Sequence, residues 1–167
     1  IVHVVRCFED PNIVHVDGKI GPARDIETIN MELIFADMEM VEKRIERTKK
    51  LMKGGDKKYQ PELDMLERIY DALENGKSAR TLEYTKEEKE FLKEVSLLTL
   101  KPVIYAANVS EDDFANGIEN NRFVAELTEI ANAENAEVLP ICAKIEEEIS
   151  ELDESEKAPF LEELGIE

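Results

Sequence analysis

KPVIYAANVSEDDF, residues 101–114, sets five mostly apolar residues, Val103 to Ala107, directly before the amide of Asn108, with Glu111, Asp112 and Asp113 close behind. A short apolar run entered through Pro102 predicts a buried strand over 103–107. Its abrupt polar end admits two readings. In the plainer one, Ser110 caps a following helix and the acids favour the positive end of that helix. In the other, Asn108 and Glu111 face a planar base. The amide donates and accepts, and the carboxylate accepts from N–H groups on the ring edge.

Outward from this stretch, IVHVVRC at 1–7 is short and rich in β-branched residues, which predicts a second buried strand, and EVLPIC at 137–142 predicts a third. FEDPNIVHVDGKIGP, residues 8–22, reads as a connecting loop marked by Pro11, Gly18, Gly21 and Pro22. Residues 121–133 carry Phe123, Leu127, Ile130 and Ala131 at helical spacing, and AKIEEEISEL and SEKAPFLEEL read as short acidic helices. Strands alternating with helices predict an α/β fold, a parallel doubly wound sheet with right-handed crossovers. Ligands bind such sheets beyond the carboxyl ends of the strands. Asn108 and Cys142 therefore share one edge.

The long segment between the first two strands reads as helical. A helix is expected from near Asp25, where DIET supplies an acidic first turn. Ile26, Ile29, Leu33, Ala36 and Met40 form an apolar stripe that shifts to Val41, Ile45, Thr48 and Met52, a small heptad break that predicts an irregular supercoil. Gly54 and Gly55 are the expected stop. Pro61 opens a second helix through Leu63, Leu66, Ile69 or Tyr70, and Leu73, which Asn75 and Gly76 end. The pair predicts an inserted antiparallel helical hairpin, coiled-coil-like. TKEE at 85–88 has the form of a capping box and starts a third helix through Phe91, Leu92 and Val95.

Hydrophobic residues make up 43% of the 167, enough for a core, and the charged share of 36% favours exposed helices over a β-sandwich. No apolar run approaches the roughly 20 residues that span a bilayer. No signal-peptide pattern opens the chain. Cys7 and Cys142 lie far apart in apolar settings, which suits buried thiols in a reducing cytoplasm. His3 and His15 lack partners at metal-ligand spacing, so no metal site is expected. The net charge of −18 is unevenly spread. From Asn108 onward eighteen acids face only Arg122, Lys144 and Lys157. Around the hairpin tip the sign reverses: Lys43, Arg44, Arg47, Lys49, Lys50, Lys53, Lys57 and Lys58 outnumber Glu46 and Asp56. Such a tip is either a solvated surface or a sequence-independent, salt-sensitive contact with RNA phosphates. The run Glu146–Glu148 reads as a solvated helix face.

CAK, Cys142–Lys144, follows its strand as the last base-binding loop follows the Asn-Lys-x-Asp loop in P-loop GTPases. Together HVVRCFED, DIETINMEL, KRIER, PVIYAANVSEDD and AKIEEEISELDESEKAPFLEELG resemble the YchF-type, Obg-like ATPases, translation-associated P-loop NTPases, nearly end to end. In that family Asn-x-x-Glu replaces Asn-Lys-x-Asp, and Asn108, Val109, Ser110 and Glu111 match it. The resemblance implies a base site of Asn108, Val109, Glu111, Cys142, Ala143 and Lys144, with Cys142 where serine is usual. Val109 would offer an apolar contact and backbone groups in place of a lysine. It also implies Mg²⁺-dependent hydrolysis of ATP in preference to GTP, because Glu111 is longer than the rigid aspartate that reads guanine. The implied domains are 1–18 with 99–150 (nucleotide-binding), 19–98 (helical insertion) and 151–167 (an acidic helical segment). The chain contains no G-x-x-x-x-G-K-[ST] and no Asp-x-x-Gly. With Ile1 already strand-like, it is expected to be an internal piece lacking the phosphate loop and a C-terminal TGS domain, with no catalytic residues of its own. The partners implied are ATP or GTP and the ribosome, with no membrane. From another class, the chain reads as a helical interaction module anchored by an α/β remnant.

Overall fold

Val2–Arg6 (β1), Ile104–Asn108 (β2) and Glu137–Ile141 (β3) form a three-stranded, all-parallel sheet in the order β1-β2-β3. The computed structural model describes residues 1–9, 21–53 and 57–163. Val2 lies opposite Ile104 and Ile104 opposite Glu137; at the far end Arg6, Asn108 and Ile141 stand in one row. Strand alternation then sorts the side chains. Val5, Tyr105, Ala107 and Val109 form a core with Val124, Leu127 and Ala131 of α5 (Arg122–Ala133). The fully buried Tyr105 keeps its hydroxyl satisfied by donating to Glu134 at 2.8 Å. The other face carries Val2, Val4, Ile104 and Leu139, between 41% and 67% exposed.

Contacts divide the chain into two compact units, Ile1–Ile26 with Val103–Glu167, and Glu27–Pro102. In the first, α4 (Glu111–Asn116) and α5 connect β2 to β3, and α6 (Ala143–Glu151) and α7 (Glu154–Glu163) follow. The plain reading of Ser110 is realised: it caps α4, accepting from Asp113 N–H while the Asp113 side chain accepts from Ser110 N–H. Asn121 caps α5 by accepting from Phe123 and Val124 N–H, and it also donates to Cys7 O at 2.7 Å. One residue thus starts a helix and ties it to the end of β1.

The second unit is helical. Most of α1 (Pro22–Met52), which starts at Pro22 rather than near Asp25, packs with α2 (Gln60–Glu74) and α3 (Lys86–Val95). The core comprises Ile34, Val41, Met65, Leu66, Ile69, Leu73, Leu92 and Val95. Thr48 and Arg44, late in α1, both donate to Glu62 in the first turn of α2, so the helices run antiparallel. The expected stripe on α1 is corrected here. Val41 and Thr48 are buried as expected, but Ile29 and Met40 are 38% and 40% exposed, and Ile34 and Asp37 are buried in their place. Asp37 replaces an apolar residue because both its oxygens accept N–H groups, from Leu98 at 2.8 Å and Thr99 at 2.7 Å. Thr48 is buried because its hydroxyl reaches Glu62 at 2.7 Å. Burial of a polar group is tolerated once it is bonded, and hydropathy alone does not register that. The capping box is formed as expected between Thr85 and Glu88. The stop at Gly54 and Gly55, most of the loop from Asp10 to Ile20, and the side chain of Lys57 lie outside the described residues.

Candidate functional site at the carboxyl edge of the sheet

β2 and β3 end in the same row, so the segments that leave them start side by side. Asn108 is the last residue of β2, and its Oδ1 accepts the N–H of Ala143 at 3.0 Å. That N–H is the first of α6, whose N-cap residue Cys142 provides no side-chain cap. The bond therefore satisfies a helix-end donor from a neighbouring strand. It also fixes the amide's orientation, with Oδ1 engaged and Nδ2 turned the other way. Glu111 is the first residue of α4, a position that suits a carboxylate. Its Oε2 meets Lys144 Nζ at 2.6 Å. Lys144 is also 3.9 Å from Glu148 on its own helix. The hydrogen bond to Glu111, followed by that carboxylate's charge, holds the ammonium's pKa above its ordinary value.

The two loops are thus bridged twice, once by a neutral hydrogen bond and once by an ion pair. Asn108, Glu111, Ala143 and Lys144 form one edge. Val109 is placed differently. It follows Tyr105 and Ala107 on the inner face, is 2% exposed and lies in the core, so its side chain offers a ligand no apolar contact. Its N–H donates to Ile141 O at 2.8 Å. Cys142 is buried as well, at 4% exposure. For these two only the backbone is left to meet a ligand.

Sequence reasoning missed a recess of about 440 Å³ on the same edge, between Cys7, Ser110, Asp113, Asn121 and Arg122. Its polar groups bond one another: Asn121 to Cys7, Arg122 to Glu9, Ser110 to Asp113. The signal available for it was Asn121, a capping residue directly before an apolar-periodic helix. Among the described residues no three His, Cys, Asp or Glu side chains are grouped as metal ligands.

In the helical unit the basic residues separate into two sets. Lys43, Arg44 and Lys49 pair with Glu39, Glu62 and Glu67, and Lys58 lies over the Tyr59 ring. Arg47, Lys50 and Lys53 are exposed and form no ion pair with other described residues. Met40, Lys43, Arg44, Arg47, Glu94 and Val95 line a groove of about 290 Å³.

A parallel sheet whose carboxyl edge gathers two loops, with a helical unit inserted between its first two strands, is the architecture of a P-loop NTPase α/β domain carrying an insertion. The chain is 54% identical over 166 residues to the ribosome-binding ATPase YchF of Bacillus subtilis, covering 99% of the chain and 45% of that protein. Against the protein of the same description from Escherichia coli O157:H7, identity is 48% over 167 residues, all of the chain and again 45% of the relative. A solved structure of the Schizosaccharomyces pombe YchF GTPase superposes with a TM-score of 0.82 at 30% identity, over 99% of this chain and 46% of that one. No family model matches. The chain is a YchF-family sequence along its whole length, and it spans about half the length of the curated relatives it matches.

Proposed function

We propose that Asn108, Glu111, Ala143 and Lys144, with the backbone of Val109 and Cys142, hold the purine base of a nucleoside triphosphate in a cytoplasmic, ribosome-associated protein. That protein hydrolyses ATP in preference to GTP, with Mg²⁺. The observation that carries this is the double bridge, Asn108 to Ala143 and Glu111 to Lys144, which gathers two loops from adjacent strands at the edge where such sheets bind ligands. The relatives' description as ribosome-binding ATPases supports the activity and the partner. The yeast protein's description as a GTPase agrees with a base site that tolerates both purines. With no G-x-x-x-x-G-K-[ST] in its sequence, the 167-residue chain turns over no nucleotide by itself.

The test is a chimera in which this chain replaces the matching segment of the Bacillus subtilis relative. Glu111→Asp restores the shorter acceptor and should move the turnover preference towards GTP. An unmoved ATP-to-GTP ratio removes Glu111 from base reading. Val109→Lys is unsuitable as a companion change, because it would bury an ammonium in the core.

A second reading has its own observation. Arg47 and Lys50 on α1 and Lys53 just beyond its end present positive charge with no ion pair among the described residues, which suits phosphate contacts with ribosomal RNA. The helical unit then serves as the interaction module of the same protein.

A further inference from the structure

Three features of Lys144 call for a common cause. It sits in the first turn of α6, where the helix dipole disfavours a cation. It has an i,i+4 carboxylate on its own helix, Glu148, yet that oxygen is 3.9 Å away while Glu111 on the other loop is at 2.6 Å. And Glu111 is the carboxylate assigned above to the base edge. We propose that Lys144 is a specificity-determining residue, which, by holding one oxygen of Glu111, withdraws the two-oxygen acceptor a guanine requires and biases the site towards a 6-aminopurine.

The chemistry follows from counting groups. Guanine presents a carbonyl, a ring N–H and an exocyclic amine on its pairing edge, and a carboxylate reads it by accepting the last two together. Adenine presents one acceptor and one amine. A Lys–Glu pair offers a donor-only ammonium and one free carboxylate oxygen. That satisfies both groups of adenine and leaves one of guanine's three unpaired, which a ligand site penalises. Ala143 N–H adds to the effect, since it is engaged by Asn108 and is not free to donate to a 6-oxo group. Both members of the ion pair keep substantial exposure, 64% for Lys144 and 39% for Glu111, so a ring has access to them. The same exposure limits the pair to a modest bias. Lys144 acts in two ways here, as a donor to the ring and, through Glu111, by positioning the carboxylate.

This inference rests on the base-site reading, and the experiment separates the two. The full 167-residue chain is titrated with adenosine and with guanosine, following the Asn108 side-chain amide and the Ala143 amide by NMR. Lys144→Met should raise guanosine affinity relative to adenosine by about threefold, the scale of an exposed ion pair. Lys144→Arg, which keeps the charge, should restore the starting ratio. If both nucleosides still bind to Lys144→Met in the unaltered ratio, Lys144 does not set specificity and the inference falls alone. If neither nucleoside shifts those amides in the unsubstituted chain, the base-site reading falls and takes the inference with it.

Discussion

Asp37 is inaccessible to solvent in the middle of a helix, and its two oxygens are the acceptors for Leu98 and Thr99 N–H. Asp37→Ala strands both donors and should cost about 2–4 kcal/mol of unfolding free energy, read from a urea midpoint. His3 is a second buried polar residue, 5.5 Å from the Tyr105 ring. Burial lowers its pKa below 6.5, outweighing the opposing pull of Glu134 and Asp25. The folded state therefore prefers neutral histidine. Its contribution to stability is present above pH 6.5 and is lost as the pH falls through the depressed folded value. His3→Phe should flatten that part of the fall in melting temperature between pH 7 and 5. On the alkaline side the sign reverses. Burial, aided by Asp113, Glu126 and Asp25, pushes Cys7 up from 9.0 to about 12. Burial likewise pushes Tyr84 from 10.0 to about 12, against the opposing charge of Arg68. The folded chain then holds protons that the unfolded chain has released, and stability falls as pH rises from about 9 to 12. At pH 8 native Cys7 should resist alkylation and become reactive only on unfolding.

Elements were legible where their signals are local. The capping box at Thr85, the Asn75–Gly76 stop and the Asn121 start all act within one helical turn, so neighbouring residues suffice to reveal them. Gly76 adopts φ +72° with open space around it, so Gly76→Ala should cost about 1 kcal/mol through backbone strain alone. Asn121→Ala should cost more, about 2 kcal/mol, because the side chain caps α5 and also holds Cys7 O. Thermal unfolding followed by circular dichroism tests both. The inward stripe of α1 was legible only in part: Ile26, Val41 and Thr48 are buried as read, but Asp37 was missed because it is paired with residues 61 and 62 positions away.

Across the molecule, positive charge gathers at residues 43–58 of the helical unit while the rest of the chain is acidic. Ion pairs with Glu39, Glu62 and Glu67 already neutralise part of it. Replacing Arg47, Lys50 and Lys53 with Glu should therefore weaken ribosome or RNA association more than replacing Lys43 and Lys49. It should also flatten the salt dependence of binding, since each lost phosphate contact releases fewer counterions. Equal losses from both sets would remove any special role for the unpaired cations.

By itself the sequence determined the alternation of three short strands with helices, the inserted helical pair, the helix caps, and the candidate amide and carboxylate at a strand end. Those properties depend on residues a few positions apart. Only the tertiary structure decided that Asn108 accepts from Ala143, that Lys144 turns from Glu148 to Glu111, and that Val109 belongs to the core. The physical reason is strand register: pairing β2 with β3 in parallel aligns Asn108 with Ile141 and so brings residues 33 to 35 positions apart within hydrogen-bond reach.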